Sequence, residues 1–347
     1  MRLVIIFSLL LFTLAQASAA EEKQHGRMLG VKTTETPHWF KESFLDFEED
    51  VAEAAAEGRR VMLYFHQEGC PYCAKLVEES FGDPQIEAFV REHFDGITIN
   101  MWGDREVVSV SGRKFSEKTF AAALKVQYTP TLVFLDEQGK VALRLNGYYP
   151  KQDFRKALRF VATQGEKQGS FAEFVKNSRA RVSGELIHED FFTSSDRLDQ
   201  LVGVDNKPLA VFFESSNCDN CVITHEKILT DAPTRALVKQ TTAVQLDINS
   251  DRLVTTPAGE RMTVSEWASR LGITYSPSVV LFDREGIEVM RIGAFLKTFH
   301  FQSVFAYVLE EAYKQQPSFQ RYISSRGDKI RETGFDTDIW GYQSSHQ

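Results

Sequence analysis

The chain has 347 residues, 43% hydrophobic and 25% charged, with four cysteines and a formal net charge of −8. At roughly 150 residues per domain this length predicts two domains, each large enough to bury a core without disulfide staples. Four cysteines are too few for a disulfide scaffold, and an acidic chain without a lysine- and arginine-rich block is not typical of a nucleic-acid binder. The composition indicates an ordinary globular protein whose few cysteines need an explanation.

The first residues predict an export signal. Arg2 precedes an apolar run of 12 residues from Leu3 to Leu14, and small residues follow up to Ala19. This order is typical of a secretory signal peptide that is cut near Ala19. The run is shorter than the roughly 18 residues that span a bilayer, and no cysteine directly follows it to carry a lipid. We therefore expect a free periplasmic protein with no stable membrane insertion, in a compartment that oxidises thiols.

The rest of the chain repeats itself. Cys70 and Cys73 recur 148 residues later as Cys218 and Cys221, and the apolar run at 61–65 recurs at 209–213. The segment at 128–136, which contains Thr129-Pro130, returns at 275–283 with Ser276-Pro277. A repeat of this length and order indicates that one unit has been duplicated.

Within each unit the local signals alternate between strand and helix. In the first unit, the pattern predicts in chain order a buried strand around Tyr64, a helix after Cys73, a helix capped by Asp83, a strand at 97–101, a surface hairpin at 103–115, a helix opened by Ser116, strands at 132–135 and 141–145, and a helix at 153–161. Such alternation predicts an α/β fold of two tandem domains, each with a mixed central sheet flanked by helices. The predicted organisation is a signal peptide at 1–19, a linker at 20–38, domain 1 at 39–166, a helical linker at 167–188, domain 2 at 189–316 and a C-terminal extension at 317–347.

The CxxC pairs are the strongest chemical signal. At a junction of strand and helix, Cys70 lies at the helix N-terminus, where unpaired N–H groups and the helix dipole stabilise a thiolate. We expect an exposed Cys70 sulfur that attacks a disulfide, and Cys73 to resolve the mixed disulfide. The alternative is a structural zinc site, but 144 residues separate the two CxxC pairs, far more than in zinc ribbons. We therefore expect no metal.

The two Thr/Ser-Pro pairs support the exchange interpretation. Pro130 and Pro277 each precede an apolar strand, where a proline lacks the N–H that a sheet needs, and a cis peptide would relieve that problem. The backbone beside each proline can then pair with an extended substrate across the sulfurs. The candidate substrate-binding residues are Pro71, Tyr72, Thr129, Pro130, Ser276 and Pro277.

These motifs resemble those of the thioredoxin superfamily. The resemblance rests on the strand that leads to Gly69-Cys70-Pro71-Tyr72-Cys73, on Thr129-Pro130 before an apolar strand, and on Gly147. The stretch at 100–107 and the hairpin after it are similar to exported thioredoxins of the SoxW type, which are associated with bacterial sulfur oxidation. The resemblance implies a cis proline, Cys70 as the attacking thiol, Cys73 as the resolving thiol, and a membrane thiol-transporting reductase as electron donor.

The sequence departs from the thioredoxin pattern at one buried position. Thioredoxins carry an aspartate six residues before the first cysteine, where it helps to deprotonate the resolving thiol, and this chain has Tyr64 and Phe212 there. Proton removal from Cys73 then needs another base, for which Glu68 and His66 are weak candidates, or water.

The second copy differs in its active-site loop, where Asp219-Asn220 replaces Pro71-Tyr72. A carboxylate beside Cys218 raises the pKa of its thiol, so we expect Cys218 to be less acidic and less reactive than Cys70. The second pair is a redox centre of its own, a relay to the first, or a docking module with a vestigial disulfide.

The sequence therefore predicts an exported thiol–disulfide oxidoreductase, with Cys70, Cys73, Cys218 and Cys221 as catalytic residues. The cysteine pairs carry the electrons, so we expect no flavin, nicotinamide or metal cofactor. The expected partners are exported proteins that bear thiols or disulfides, and not nucleic acid. A disulfide oxidase or isomerase of secreted-protein folding, and a non-catalytic binding protein with structural disulfides, remain alternatives.

Overall fold

The architecture is taken from a computed structural model that describes residues 25–178 and 184–344. The predicted signal peptide at 1–19 lies outside the described residues. Within the described ranges, no helix has both the length and the apolar character to cross a membrane.

Domain 1 is built around a four-stranded sheet of order β3-β2-β6-β7. Strand β2 pairs with β3 in parallel and with β6 antiparallel, and β7 pairs antiparallel with β6. A short strand β1 precedes the domain, and α2 continues as a π-helical turn over Leu76–Phe81. The elements in chain order are β1 (Met28–Leu29), α1 (Phe47–Ala56), β2 (Arg60–His66), α2 (Pro71–Lys75), α3 (Pro84–His93), β3 (Phe94–Asn100), β4 (Glu106–Val108), β5 (Lys114–Ser116), α4 (Glu117–Ala123), β6 (Thr131–Leu135), β7 (Val141–Asn146) and α5 (Lys151–Ala162).

Domain 2 repeats this topology after the helix α6 (Phe171–Ser178), with a sheet of order β9-β8-β12-β13. Its elements are β8 (Leu209–Glu214), α7 (Asp219–Ile223), α8 (Ala232–Val238), β9 (Thr242–Asp247), β10 (Leu253–Thr255), β11 (Arg261–Thr263), α9 (Val264–Arg270), β12 (Ser278–Phe282), β13 (Glu288–Ile292) and α10 (Thr298–Leu309). The C-terminal extension adds α11 (Phe319–Glu332) and β14 (Thr337–Asp338). The predicted fold class, two tandem domains with mixed sheets flanked by helices, is confirmed.

Helix caps explain where the helices begin. The carboxylate of Asp83 accepts the N–H groups of Gln85 and Ile86 at the start of α3, and Asp231 caps α8 in the same way. The hydroxyl of Ser116 caps α4 as the sequence predicts. Each cap satisfies backbone donors that have no partner inside the helix. Since these bonds are local, the sequence identifies the starts of α3 and α4 correctly, whereas the helix predicted at 153–161 begins at Lys151, where no side chain caps it.

The two domains share one apolar core. Each sheet has a separate core on one face, and the other faces join in a common cluster that includes residues of α5, α10 and α11. Across the interface, the Tyr128 hydroxyl donates to the carbonyl oxygen of Arg291 (2.8 Å), and the Phe295 N–H donates to that of Tyr148 (3.4 Å). The loop that follows the last sheet strand of each domain is therefore part of the domain interface.

The C-terminal extension returns to both domains. Strand β14 pairs in parallel with β1 and so joins the two ends of the described chain. The sequence predicts a polar, disordered end after Trp340, and for residues 341–344 this is wrong. The Tyr342 ring lies 3.3 Å from the Lys297 Nζ, and the Ser344 N–H donates to Asp231 at 2.8 Å. The contacts involve side chains more than 40 positions away, which a local composition signal does not register.

Candidate active site

The first CxxC pair forms a disulfide at the start of a helix. Cys70 is the N-cap of α2 and is bonded to Cys73, with 5.3 Å between their Cα atoms. The Cys70 sulfur accepts the backbone N–H of Cys73 at 3.1 Å. When the pair is reduced, this N–H and the helix dipole stabilise negative charge on the Cys70 sulfur, as the sequence argument requires.

The second pair has the same geometry. Cys218 caps α7 and is bonded to Cys221, with 5.1 Å between their Cα atoms, and its sulfur accepts the Cys221 N–H at 3.0 Å. Among the described residues, no cluster of three or more histidine, cysteine or acidic side chains is arranged to hold a metal ion. Both CxxC pairs therefore place a disulfide at the N-terminus of a helix.

A proline loop lies beside each disulfide. The Thr129-Pro130 and Ser276-Pro277 peptide bonds are both cis. The Thr129 carbonyl oxygen lies 3.5 Å from the Cys70 sulfur, and that of Ser276 lies 3.3 Å from the Cys218 sulfur. The structure therefore brings the predicted cysteines and proline loops together in both domains.

The two sulfurs differ in exposure, and here the sequence prediction for Cys70 is wrong. Cys70 is only 5% exposed, whereas Cys218 is half-buried with an exposed Asp219 beside it. Cys70 instead lines a cavity of about 500 Å³ between domain 1, domain 2 and α11. Residues of domain 2 and of the C-terminal extension line this cavity together with Cys70, and no local signal at 70–73 encodes their approach.

Tyr72, a predicted substrate contact, holds the domains together. Its hydroxyl accepts the backbone N–H of Lys297 at 2.9 Å and lies 3.2 Å from Nδ1 of His300. Burial lowers the pKa of His300 to about 4, so this imidazole is neutral and its Nδ1 can accept a hydrogen bond from the Tyr72 hydroxyl. The sequence reasoning missed both Lys297 and His300, because a lone lysine and histidine on an apolar helix carry no motif.

A second group of missed residues joins the proline loop of domain 1 to α11. The Gln67 side-chain amide donates to the Thr129 hydroxyl at 2.9 Å and to Gln320 at 2.8 Å, and its oxygen accepts the Trp102 indole N–H at 2.7 Å. Gln320 in turn donates to the Gln127 carbonyl oxygen at 3.0 Å. These bonds hold α11 over the first CxxC pair.

Tyr64 occupies the position at which thioredoxins carry an aspartate, and it cannot act as the base that deprotonates Cys73. Tyr64 is 2% exposed, and its hydroxyl has no hydrogen-bond partner in the described part of the chain. Burial raises the pKa of Tyr64, so the hydroxyl stays protonated near neutral pH. Of the two weak candidate bases, Glu68 is exposed, and burial lowers the pKa of the half-buried His66, which leaves its imidazole neutral and able to accept a proton.

The difference in burial has a direct consequence for alkylation. The test uses two reduced variants, one that retains only Cys70 and one that retains only Cys218, with the other cysteines replaced by serine. We expect a maleimide attached to a large polymer to modify Cys70 at least about tenfold more slowly than Cys218, because only an opened fraction of molecules exposes Cys70. With the small reagent iodoacetamide, the difference between the alkylation rates of Cys70 and Cys218 should be smaller, and in denaturant it should disappear. Equal rates in the folded proteins would contradict the burial of Cys70, and the pH profile with iodoacetamide measures the order of the two thiol pKa values.

Fold and site together define a class of protein, a tandem thiol–disulfide oxidoreductase with two thioredoxin-type domains. Comparison with protein families matches residues 47–162 and 199–309 to the thioredoxin-like domain. The matched residues are more than half of the chain, which therefore belongs to the thioredoxin-like domain family.

Solved structures that are similar to parts of the chain are thioredoxin-fold proteins. A thioredoxin-fold protein from Helicobacter pylori is 25% identical over 36% of this chain and 84% of its own, with a TM-score of 0.30. A thioredoxin from Thermus thermophilus is 30% identical over 35% of this chain and 86% of its own, with a TM-score of 0.29. The periplasmic thioredoxin SoxS from Paracoccus pantotrophus is 22% identical over 31% of this chain and 99% of its own, with a TM-score of 0.22. No significant match to a curated protein was found.

Proposed function

We propose that the chain is an exported thioredoxin-type reductase that exchanges its dithiols with disulfides, or with thiol-bound sulfur, on protein or small thiol partners. Cys70 is the attacking thiol and Cys73 the resolving thiol. The observation that carries the proposal is the placement of the Cys70 sulfur, which starts α2, is bonded to Cys73 and lies 3.5 Å from the Thr129 carbonyl oxygen. Exchange through a mixed disulfide needs an activated sulfur, a second sulfur within reach and a place for the partner beside them.

The periplasmic location and the electron supply are part of the same proposal. The predicted signal peptide at 1–19 supports export, and the resemblance to SoxW-type thioredoxins supports the reductive direction and a role in sulfur metabolism. An oxidising compartment would leave both pairs as disulfides, so a membrane thiol-transporting reductase supplies the electrons. The partners are exported proteins or small molecules that bear thiols or disulfides.

The second CxxC pair is proposed as a second exchange centre. It has the same disulfide, the same helix cap and the same cis proline loop as the first pair. Cys218 is half-buried rather than buried, which gives a larger partner access to its sulfur. A half-buried cysteine with these neighbours supports reactivity more than a purely structural role.

Turnover with dithiothreitol as the reductant tests the proposal. We expect the wild-type protein to accelerate the reduction of bis(2-hydroxyethyl) disulfide, of insulin, or of both, above the rate of a variant with all four cysteines replaced by serine. The Cys73→Ser variant should stop at a mixed disulfide on Cys70, which mass spectrometry detects. A wild-type rate equal to that of the four-serine variant with both substrates would refute the proposal, and rescue of scrambled ribonuclease without net reduction would favour an isomerase instead.

A further inference from the structure

The cavity at the first CxxC pair is a partly open chamber, because exposed residues such as Val31, Glu68 and Arg321 lie on its rim while Cys70 is buried. Its volume is about 500 Å³, and Cys70 belongs to its lining while Cys73 does not. The walls come from the segment at 28–31, the loops of domain 1 around Cys70, Trp102, Thr129 and Tyr148, the segment of domain 2 at 295–300, α11 and Ile339. Cys70 therefore borders a space that two domains and the C-terminal extension define jointly.

Hydrogen bonds hold the walls of this chamber together. Tyr72 is bonded to Lys297 on the domain 2 side, and Gln67 is bonded to Gln320 on the α11 side. Both Tyr72 and Thr129 are buried, at 4% and 6% exposed. An extended protein segment cannot reach the backbone beside Pro130 unless these contacts open.

Size and lining indicate what the chamber accepts. Small-molecule sites typically occupy about 300–1,000 Å³, whereas a protein partner contacts roughly 800 Å² of surface on each side. Much of the lining is apolar, from Val31, Trp102, Phe299, Ile323 and Ile339, and the charged side chains on it, Glu68 and Arg321, have opposite signs. The chamber therefore suits a small neutral molecule better than a folded protein or a strongly charged ligand.

We propose that the Cys70 chamber selects neutral low-molecular-weight organic disulfides as substrates of the first CxxC pair and excludes protein disulfides. The inference rests on the proposed function. The Cys70 thiolate attacks one sulfur of RS–SR, the substrate S–S bond breaks, and one RS⁻ leaves and takes a proton from solvent. The Cys73 thiolate then attacks the Cys70 sulfur and releases the second thiolate, so one disulfide becomes two thiols while the protein dithiol becomes a disulfide. A dithiol reductant restores the reduced pair.

Single-turnover kinetics of the full chain carrying Cys218→Ser and Cys221→Ser test the proposal. The protein is reduced, freed of reductant and mixed with either bis(2-hydroxyethyl) disulfide or insulin, and formation of the Cys70–Cys73 disulfide is followed by mass spectrometry after acid quenching. We expect the rate constant with insulin to be at least about a hundredfold lower, since only an opened minority of molecules can accept it. Comparable rate constants would overturn the size selection and leave the proposed function intact, whereas no reaction with either probe would count against the proposed function itself.

A matched pair of substitutions on α11 tests whether the chamber is the reaction site. Ser324 lines the chamber, and its neighbour Ser325, also exposed, does not. We expect Ser324→Trp to lower the rate constant with bis(2-hydroxyethyl) disulfide roughly tenfold, because a displaced substrate no longer meets the sulfur, and Ser325→Trp to leave it unchanged. Equal effects of the two tryptophans would overturn the proposal. Circular dichroism of both variants verifies that each is folded.

Discussion

Replacement of Tyr72 by alanine should lower the free energy of unfolding by about 3–5 kcal/mol, the range for removal of a large buried aromatic side chain. The Tyr72 ring packs edge-on against His300 and Trp340, with 5.0 Å between ring centres in each case. The substitution therefore removes contacts to α10 and to the C-terminal segment at once. Urea denaturation with both disulfides intact measures the change.

Two further variants show whether the loss comes from contacts between the domains. Tyr72→Phe keeps the ring but removes the hydroxyl that Lys297 and His300 contact, and should cost about 1–3 kcal/mol because a buried donor loses its partner. Asn220 is the equivalent residue of the second loop and is half-buried, so Asn220→Ala should stay within about 0.5 kcal/mol of the wild-type protein. If Tyr72→Ala were as mild as Asn220→Ala, domain 2 would not be held by this loop.

The features that the sequence identifies are those made by residues close together in the chain. The CxxC spacing, the aspartate and serine helix caps and the prolines before β6 and β12 each depend on a few adjacent positions. Local hydrogen bonds and the restricted backbone of proline determine them, and similar patterns recur in both copies. For this reason the duplicated fold and the four cysteines are recovered without a structure.

The cover over Cys70 is what the sequence does not reveal. Tyr72 and Lys297 are 225 positions apart, and Gln67 and Gln320 are 253 apart. Glutamine and tyrosine at these positions have no periodicity or spacing that distinguishes a domain contact from a solvated side chain. The repeat pattern itself favours two equivalent sites, whereas packing of the two copies against each other makes the first buried and leaves the second more open.

The asymmetry also changes how the two loops are interpreted. From the sequence, the difference between them is electrostatic, with Asp219 opposing a thiolate on Cys218. In the structure, access differs as well, since Cys70 is 5% exposed and lines a cavity, whereas Cys218 is half-buried. A lower thiol pKa can therefore make one cysteine more reactive while greater exposure makes the other more reactive. Alkylation with both a small and a large reagent is needed to distinguish the two causes.

The second large loss of stability is expected on substitution in a buried charged cluster of domain 2. His225 is 2% exposed and lies between two carboxylates, with Nε2 3.0 Å from Glu214 and Nδ1 3.0 Å from Glu189. Burial lowers the pKa of His225, but hydrogen bonds and charge attraction from Glu214 and Glu189 outweigh it, so the pKa is raised overall. The protonated ring donates from both nitrogens and neutralises Glu214, which is 1% exposed.

Loss of the imidazolium leaves the Glu214 carboxylate buried without its cationic partner. We expect His225→Leu to lower the free energy of unfolding by about 3–5 kcal/mol near pH 6, the cost of breaking a buried ion pair from one side. The Glu214→Leu/His225→Leu double variant should recover most of this loss, because two apolar side chains then replace both charges. If the double variant were as unstable as His225→Leu, the loss of stability would come from altered packing and not from an unpaired charge on Glu214.

The pH dependence follows from the direction of the His225 shift. A pKa that is higher in the folded state than the roughly 6.5 of an unfolded histidine stabilises the fold fully below that value, and the stabilisation is lost as pH rises through the folded pKa. The difference in unfolding free energy between wild type and His225→Leu should therefore be largest near pH 6 and shrink at alkaline pH. Urea titrations at a series of pH values measure it, and a difference that grows with pH would mean that His225 is neutral in the folded protein.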